Sequence, residues 1–467
     1  MHVGNLRTAL YAYFIARHND GRFILRIEDT DRERYVEGAT DIIYSTLKDA
    51  GMYWDEGPDV GGEYGPYIQS ERMGMYLDYA KQLVELGGAY YCFCTKEELE
   101  ARLQHEKFEE EVTHYDGFCR NLSQEEVERR LANGDPFVIR QKMPKEGTTS
   151  FDDLVYGHIE VDNSELEDQI LIKSDGMPTY NFANVVDDHL MGVTHVVRGN
   201  EYLSSTPKYN LLYQSFGWDV PEYIHCAPVM KDEHNKLSKR NGDASYQDLV
   251  AKGYLPAAII NYLALLGWAP KGENELFTLD ELIAEFDVSG ISKSPAIFDP
   301  EKLKFINAEY IRKLSPEEYK EHAMPFIKQA VTRDDIDFDV LCAALSPRTE
   351  FFGDIPERLT FIDTLPEYDN SLYEHKKMKT NAATSLEALE AMLPVLESLE
   401  KWDVETIHES LFALIEKSGV KNGYMLWPLR VALSGVPVSP GGGIELAAIL
   451  GRDESIARIK KGIEQLK

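Results

Sequence analysis

The chain has 467 residues, a formal net charge of −31, 43% hydrophobic residues and 28% charged residues. This length exceeds what a single hydrophobic core organises and predicts three to five structural units. The composition is typical of a soluble globular protein, with no apolar run long enough to cross a bilayer and no secretory leader. We therefore expect a cytoplasmic protein, and its acidity argues against general, non-specific binding of nucleic acid.

The first predicted element is an amphipathic helix from Leu6 to Ala16. It follows His2-Val3-Gly4-Asn5, so an imidazole and backbone N–H groups would face an anion at the helix N-terminus. The next element, Phe23 to Asp31, is predicted to be a buried strand of branched apolar residues that ends in three carboxylates. Ligands bind at the carboxyl ends of strands in open α/β sheets.

Two later segments collect further polar side chains. Residues Lys173 to His189 contain a turn, an aromatic hydroxyl, an amide and several acids, and Arg198-Gly199-Asn200-Glu201 follows them. Lys236-Leu237-Ser238-Lys239-Arg240 places two ammonium groups on a short loop, which suits negative charge that builds on a leaving pyrophosphate. Each motif alone is short enough to arise by chance, so their order along the chain carries the argument.

The pattern of elements predicts an α/β protein joined to an all-α part. Residues 1–72 and 176–235 have the pattern of two halves of a doubly wound, Rossmann-like domain. Residues 73–175, with mixed helices and short strands, form an α+β insertion between them. Residues 236–315 carry the lysine loop and a helical region, and residues 316–467 are helical with proline-containing joints.

Three of the five cysteines, Cys92, Cys94 and Cys119, lie close together in the sequence. The odd total of five cysteines and the clustering of these three favour a metal site over a disulfide framework. We expect Cys226 and Cys342 to be buried thiols.

The order of these motifs resembles that of bacterial-type glutamyl-tRNA synthetases, which belong to the class I aminoacyl-tRNA synthetases. The resemblance runs nearly end to end and rests on these segments: His2 to Asn5, Phe23 to Asp31, Lys173 to His189, Arg198 to Glu201, Lys236 to Arg240 and Trp427 to Arg430. It implies activation of L-glutamate by ATP with magnesium, then transfer to the terminal adenosine of tRNA(Glu) with release of AMP and pyrophosphate. It also implies that the insertion binds the tRNA acceptor end, that residues 236–315 contact the stem, and that residues 316–467 read the anticodon.

The resemblance assigns roles to individual residues. For ATP it implies His2, Gly4, Asn5, Lys236, Leu237, Ser238 and Lys239, among which His2, Lys236 and Lys239 would act on the phosphates during catalysis. For glutamate it implies that Glu28 accepts hydrogen bonds from the α-ammonium group and that Arg198 clasps a carboxylate. Tyr180, Asn184 and Glu201 would complete the polar pocket.

The same resemblance extends to metal and RNA. It implies a structural zinc held by Cys92, Cys94, Tyr115 and Cys119, with His114 as a reserve ligand. Arg348 resembles a position that reads the third anticodon base. Two basic stripes, His375 to Lys379 and Arg458 to Lys461, are candidates for RNA contact, and ordinary solvated helix ends are the competing interpretation.

One departure stands out. Family members carry a strand and turn of the approximate form Arg-Phe-Ala-Pro-Ser-Pro-Thr-Gly where this chain has only Met1. Such a strand would be central and paired on both edges. We therefore expect the chain as written to be poorly stable and weakly active, and an upstream extension to raise both melting temperature and turnover.

Several alternatives remain at this point. The nearest is a non-discriminating enzyme that also charges tRNA(Gln), and a second is a tRNA-binding paralogue without catalysis. A glutaminyl enzyme would need a β-barrel anticodon module, which the helical pattern after residue 310 disfavours. A short tRNA-modifying paralogue would end near the lysine loop. We expect a monomer.

Overall fold

The computed structural model describes residues 1–30, 38–106, 115–237 and 245–467. The predicted site residues Ser238 and Lys239, and the reserve ligand His114, lie outside these ranges. The chain divides into two compact units: residues 1–246 with 260–298, and residues 247–259 with 299–467. Across the described ranges, no helix combines the length and the apolar character needed to span a membrane.

The helices of the first unit, with two that cross its boundary, are α1 (Val3–His18), α2 (Ala39–Asp49), α3 (Met73–Glu85), α4 (Lys96–Glu106), α5 (Gln124–Ala132), α6 (Tyr180–Leu190), α7 (Thr206–Phe216), α8 (Tyr246–Ala251), α9 (Pro256–Leu265) and α10 (Leu279–Glu285). Its strands are β1 (Ala89–Cys92), β2 (Val138–Gln141), β3 (Thr148–Asp153), β4 (Gly157–Asp162), β5 (Ile170–Ile172), β6 (His195–Gly199), β7 (Glu222–Cys226), β8 (Val229–Met230) and β9 (Ala296–Ile297).

These strands form one mixed sheet, one antiparallel sheet and one short parallel pair, β8 with β9. One sheet has the order β4-β3-β7-β6, in which β7 lies parallel to both β3 and β6 while β3 and β4 are antiparallel. A second, antiparallel sheet has the order β1-β2-β5. Helices α3, α6 and α7 pack on the second sheet through an apolar core, so α6 and its polar residues are fixed from several sides.

Helix α1 begins two residues into the chain because His2 caps it. The Nδ1 atom of His2 accepts a hydrogen bond from the Gly4 N–H group, which satisfies one of the free donors of the first turn. The helix is buried on more than one face, beyond the single apolar stripe that its amphipathic pattern predicts. Arg7 is buried too, and its guanidinium donates to the carbonyl oxygens of Leu266 and Ala227.

The prediction of a buried strand from Phe23 onward is wrong for the described residues. This segment is extended but pairs only at single parallel bridges, Ile24 with Glu56 and Ile27 with Ile68, and its apolar residues are half-buried. Isolated bridges do not make a ladder, so no regular strand forms here. The segment still carries Glu28 and Asp29 beyond its apolar residues, as the sequence predicted.

The second unit is helical, with α11 (Pro300–Ile311), α12 (Pro316–Ala330), α13 (Phe338–Leu345), α14 (Ile355–Arg358), α15 (Ala382–Glu397), α16 (Val404–Ser418), α17 (Asn422–Ser434), α18 (Gly443–Leu450) and α19 (Arg452–Leu466). The sequence sets several of these boundaries locally. Ser315 and Glu318 form a capping box at the start of α12, and Pro316 takes the first helical position, where its missing N–H is harmless. Asp299 caps α11 in a similar way.

The predicted basic stripe from Arg458 to Lys461 is wrong at Arg458, which does not face solvent. Its side chain is 2% exposed and donates to the carbonyl oxygens of Phe361, Ile362 and Leu433. A guanidinium that satisfies buried carbonyls cannot also meet a phosphate, so Arg458 stabilises the helical unit. The neighbouring Lys460 is exposed and forms an ion pair with Glu397.

Candidate active site

A hydrogen bond joins the two motifs that the sequence separates by more than two hundred residues. The Nε2 atom of His2 lies 3.1 Å from the carbonyl oxygen of Leu237. Because Nδ1 accepts from Gly4, the neutral tautomer with hydrogen on Nε2 satisfies both partners. The start of α1 and the start of the lysine loop therefore meet at one imidazole.

A hairpin carries the start of the lysine loop, Lys236 and Leu237, next to His2. Met230 and Lys236 form an antiparallel bridge, and Asp232 closes the turn by accepting from the N–H groups of His234 and Asn235. Leu237 is buried and anchors the loop, while Lys236 is exposed. Near the other motif, Asn5 is exposed on the first turn of α1.

Glycine at position 4 keeps the cap of α1 open. A Cβ atom at this position would lie 3.2 Å from the Nδ1 atom of His2. A side chain there would crowd the imidazole that accepts from the Gly4 N–H group, so the small residue is part of how His2 is positioned.

Glu28 lies beside a buried cation. Arg26 donates to its Oε1 atom from Nη2 at 3.0 Å, and the same Nη2 atom reaches Asp188 at 2.8 Å. Glu28 keeps 31% of its side-chain surface exposed, so the carboxylate is held by protein and still accessible. Desolvation raises the pKa of Glu28 above its usual range, and the Arg26 guanidinium opposes that rise.

Behind Arg26, Asp187 forms a fully buried network. Its Oδ2 atom accepts from the Tyr76 hydroxyl at 2.7 Å and from the Gln69 amide at 2.9 Å. Its Oδ1 atom accepts from Arg72 Nε at 2.8 Å. This network fixes the C-terminal half of α6, and with it Asp188, which orients Arg26.

Asn184 and Arg198 lie in the same region, but some of their buried polar atoms have no hydrogen-bond partner among the described residues. Asn184 is 2% exposed, and within the described ranges neither its amide nitrogen nor its oxygen has a partner of good hydrogen-bond geometry. Burial raises the pKa of the Tyr180 and Tyr209 hydroxyls, and a weak interaction of each with Asn184 opposes that rise. The Nη1 atom of Arg198 is likewise buried without a partner among the described residues. Unsatisfied buried groups of this kind indicate a ligand site.

Aromatic rings and electrostatics tie these groups together. The Arg198 guanidinium lies 5.3 Å from the ring centroid of Tyr202 and 5.1 Å from that of Tyr209. Burial raises the pKa of Tyr180, Glu28 adds to the rise, and Arg198 opposes it. The Tyr180 hydroxyl therefore stays protonated at neutral pH and can donate a hydrogen bond.

Glu201 follows β6 in the sequence, and its side chain folds back onto Gly199, the last residue of that strand. A Cβ atom at position 199 would overlap the Glu201 carboxylate, so this carboxylate lies directly over the Gly199 backbone. The Glu201 side chain is exposed. The structure thus places it beside the strand end that carries Arg198.

Sequence analysis missed three residues that orient the site: Arg26, Asp187 and Asp188. One signal was present for Arg26, because it lies two residues before Glu28 on an extended segment and shares its face. No local signal distinguishes the two aspartates. The partners of Asp187 are Gln69, Arg72 and Tyr76, and the partner of Asp188 is Arg26; all of them lie more than a hundred residues away.

The predicted metal ligands come together in a second location of the first unit. The sulfur atoms of Cys92, Cys94 and Cys119 lie within 4.8 Å of one another. The Cys94 and Cys119 sulfurs are 3.5 Å apart, and the Tyr115 hydroxyl is 3.3 Å from Cys92 Sγ. Tetrahedral zinc with Zn–S bonds of about 2.3 Å separates its ligand atoms by roughly 3.5–3.8 Å, so three thiols and a phenol fit the ion.

The surroundings of this cluster favour one thiolate, that of Cys92. Hydrogen bonds from Cys119 and Tyr115 lower the pKa of the Cys92 thiol, whereas burial raises the pKa of Cys94 and the interaction with Cys92 raises that of Cys119. Arg102 Nη1 lies 3.6 Å from Cys94 Sγ. The ligand segments are also anchored. Buried Asp168 accepts from the Tyr90 hydroxyl and from Arg120, which flank Cys92 and Cys119 in the sequence.

In the second unit, Arg348 lies at the rim of a cavity of about 750 Å³. It ends a 3₁₀ turn, Ser346–Arg348, and its side chain is exposed. The same cavity is lined by Trp427 and Arg430, whose guanidinium lies 4.2 Å from the Trp427 ring centroid. Arg430 is 8% exposed, and within the described ranges its Nε and Nη2 atoms lack partners.

Comparison with known proteins gives consistent results. Residues 1–305 match the family of tRNA synthetases class I (E and Q), catalytic domain, and residues 317–463 match an anticodon binding domain. The chain is 59% identical to a glutamate–tRNA ligase of Clostridium acetobutylicum and 60% identical to one of Clostridium novyi, covering 100% of this chain and 96% of each relative.

Solved structures give the same result. A crystal structure of a glutamate tRNA ligase from Elizabethkingia meningosepticum, in complex with its amino acid, superposes with a TM-score of 0.89 at 37% identity. The match covers 100% of this chain and 97% of that one.

Proposed function

The chain belongs to the class I tRNA synthetases for glutamate and glutamine and has glutamate–tRNA ligase activity; from this premise we propose roles for its site residues. ATP, L-glutamate and tRNA are its substrates. The reaction first joins the glutamate α-carboxylate to the α-phosphate of ATP and releases pyrophosphate. The terminal adenosine ribose of tRNA then attacks the glutamyl-adenylate and AMP leaves.

For ATP, we assign the phosphates to the start of α1 and to the lysine loop. The N-terminal end of α1, which carries His2, Gly4 and Asn5, favours an anion through the dipole of the helix. Lys236, Ser238 and Lys239 would bind the negative charge that develops on the leaving pyrophosphate, and buried Leu237 would hold the start of their loop in place. Magnesium bound to ATP would share in neutralising the phosphates. The hydrogen bond between His2 and Leu237 supports this assignment, because it couples the two phosphate-binding segments.

For glutamate, the buried and unpartnered Nη1 atom of half-buried Arg198 is the observation that carries the proposal. A buried guanidinium nitrogen without a partner among the described residues is costly unless a ligand supplies one. Glutamate brings two carboxylates and an ammonium group. We assign one carboxylate to Arg198 and the ammonium group to Glu28, with Tyr180, Asn184 and Glu201 completing the hydrogen bonds.

For tRNA, we assign the acceptor end to residues 73–175, the stem to residues 236–315 and the anticodon to residues 316–467. The cavity at Arg348 supports the last assignment. An unstacked base could enter this cavity, where it would stack on the Trp427 ring. The unpartnered Nε and Nη2 atoms of Arg430 could donate hydrogen bonds to it. Charging of tRNA(Gln) as well as tRNA(Glu) depends on this cavity, since the two anticodons differ there.

For metal, we propose a structural zinc held by Cys92, Cys94, Tyr115 and Cys119. Four protein ligands leave no open position, so the ion would fix the insertion and take no part in the chemistry. Metal analysis of the purified protein should give close to one zinc per chain, and Cys119→Ser should lower both that content and the melting temperature. A full-length Cys342→Ser control should change neither the zinc content nor the protection of residues 89–141 from hydrogen exchange.

The test of the proposed function is ATP–pyrophosphate exchange. Glutamate-dependent exchange, measured with and without tRNA(Glu), should be abolished by Lys236→Ala and strongly reduced by Arg198→Gln. Exchange that persists in both variants would contradict the assigned site.

Specificity needs a separate assay. Aminoacylation of tRNA(Glu) and tRNA(Gln) transcripts by the wild type and by Arg348→Gln would show whether this arginine separates them. An unchanged ratio of kcat/KM values would remove Arg348 from anticodon reading. We further propose that the enzyme is a cytoplasmic monomer, which light scattering after gel filtration tests for the oligomeric state.

A further inference from the structure

A short basic hairpin in the second unit has no role in the site described so far. His375 and Thr380 pair across an antiparallel bridge, and the four residues between them form its turn. We call residues His375 to Thr380 the lysine hairpin, because its turn carries Lys376, Lys377 and Lys379.

The apolar members of the lysine hairpin face helix α17. Met378 packs so closely on Gly423 that a Cβ atom there would collide with its sulfur. One turn further along the helix, the His375 ring lies 4.2 Å from the Trp427 ring. The Trp427 indole N–H also donates to the carbonyl oxygen of Leu372, just before the hairpin, at 3.0 Å. The hairpin is therefore held in place and not a loose charged loop.

The three lysines, in contrast, face solvent. Lys376, Lys377 and Lys379 are exposed, and no carboxylate of the described residues forms an ion pair with any of them. This is notable in a chain with a net charge of −31, where acids outnumber basic residues 80 to 49. Three unpaired cations on a fixed support in an acidic protein indicate an anionic partner.

Lys379 adds a second observation. Its φ angle is 59°, in the left-handed region that glycine adopts readily and that costs other residues conformational energy. Glycine would suit the turn better, so the lysine at this position serves something other than the stability of the turn.

The position of the hairpin identifies the partner. Trp427 contacts His375 and also lines the Arg348 cavity, three residues before Arg430 on α17. We propose that the lysine hairpin binds the phosphate backbone of the RNA strand whose bases enter the Arg348 cavity. This inference rests on the proposed anticodon role of the second unit, and it explains how an acidic protein holds a polyanion: the attraction is local.

The salt dependence of tRNA binding tests the inference. Each phosphate neutralised by lysine contributes about −0.7 to −0.9 to the slope of log K against log salt concentration. We expect the triple variant Lys376→Gln, Lys377→Gln, Lys379→Gln to bind tRNA(Glu) with a slope shallower by about 2, and more than tenfold more weakly at low salt. The loss should persist with an isolated anticodon stem-loop, which contains the contacted strand.

A matched control carries the same change of net charge. Lys460→Gln, Lys461→Gln, Lys467→Gln removes three exposed lysines from the end of the second unit, two of which already pair with Glu397 and Glu390. We expect its slope to stay within about 0.5 of the wild type. Equal losses in both triple variants would overturn the inference, because they would reflect total charge and not the hairpin.

The single variant Lys379→Gly separates binding from folding. It removes a charge and also the left-handed strain, so the melting temperature should stay the same or rise while the slope becomes shallower by about one phosphate contact. An unchanged slope would overturn the inference even if the variant folds well.

Failure of the inference can be distinguished from failure of the proposed function. Wild-type protein that charges tRNA(Glu), with hairpin variants of unchanged salt slope, would overturn only the hairpin assignment. Arg348→Gln should alter discrimination between tRNAs, whereas the hairpin variants should weaken all tRNAs equally, because phosphates carry no sequence information.

Discussion

Two polar clusters lie one turn apart on the same helix, α6, and differ in how their hydrogen bonds are met. Around Asp187, each oxygen of a fully buried carboxylate has a donor: Tyr76 and Gln69 on one side, Arg72 on the other. Around Asn184, the two polar atoms of the buried amide and the Nη1 atom of Arg198 have no hydrogen-bond partner among the described residues.

This difference separates architecture from a binding site. A buried carboxylate whose two oxygens both have donors in the protein stabilises the fold, and removing it leaves those donors buried and unpaired. A cluster that is incomplete in the protein is completed by a ligand, so its members cost stability and contribute affinity. Substitutions on α6 should therefore affect either stability or activity, depending on which cluster they touch.

The largest effect is expected from Asp187→Asn. The variant keeps the shape of the side chain but leaves the Arg72 guanidinium buried without its counter-charge. We expect the free energy of unfolding of the first unit to fall by about 3–5 kcal/mol, measured by hydrogen exchange in α6 and by urea unfolding. Glu63→Gln, which breaks an exposed ion pair with Arg22, is the control and should cost less than about 1 kcal/mol. Similar costs in both variants would contradict the comparison.

A smaller, purely functional effect is expected from Arg198→Gln. Charge-assisted hydrogen bonds contribute about 1.5–3 kcal/mol, so kcat/KM for glutamate should fall by roughly 10- to 150-fold. The melting temperature should stay the same or rise, because the substitution removes a cation whose Nη1 atom is buried without a partner among the described residues. A melting temperature that fell as far as in the Asp187 variant would place Arg198 among the structural residues.

The pH dependence of KM for glutamate tests whether Glu28 binds the substrate ammonium group. Its pKa is raised by desolvation, so it loses its charge at a higher pH than an ordinary glutamate does. As pH falls through that value the carboxylate becomes neutral, stops attracting the substrate ammonium group, and KM for glutamate should rise by up to about tenfold per pH unit.

Two variants provide the controls for this pH dependence. Glu28→Gln should raise KM at every pH and flatten the acid limb. Arg26→Gln should move that limb to higher pH, since Arg26 opposes the rise in the pKa of Glu28. An acid limb that stayed in place in both variants would assign the titration to another group.

The smallest effect is expected from Asn184→Leu. Replacing an unsatisfied buried amide by an apolar side chain of similar size should stabilise the first unit by about 1 kcal/mol, read as a higher melting temperature. Glutamate affinity should fall several-fold in the same variant. A loss of stability would show that Asn184 is already satisfied by the protein.

Much of the fold was predictable because its signals are local. A proline-containing joint precedes helix α12, and the structure shows the helix beginning at Pro316 behind a capping box at Ser315. The helical second part and the mixed α/β first part follow from residue periodicity, and both are confirmed. The segment after Phe23 was the exception, because apolar β-branched residues indicate an extended chain and do not specify how many neighbours will pair with it.

The site was predictable to the extent that its residues lie in ordered motifs. His2, Glu28, Tyr180, Asn184 and Arg198 were identified from those motifs, and the structure brings the last four together. Their roles as ligands of ATP and glutamate stay predictions. Arg26 and Asp188 were missed because their importance comes from the partners they hold and not from the residues beside them.

The sequence by itself determined the family, the reaction and the order of the chemical groups along the chain, because these are encoded in short contiguous motifs. Only the tertiary structure decided which charged residues are structural and which are free to bind. Arg458 looked like part of a basic stripe and proved to satisfy carbonyl oxygens up to 97 residues away, while the lysine hairpin remained exposed. Burial and hydrogen-bond partners depend on residues remote in the sequence, and no local pattern specifies them.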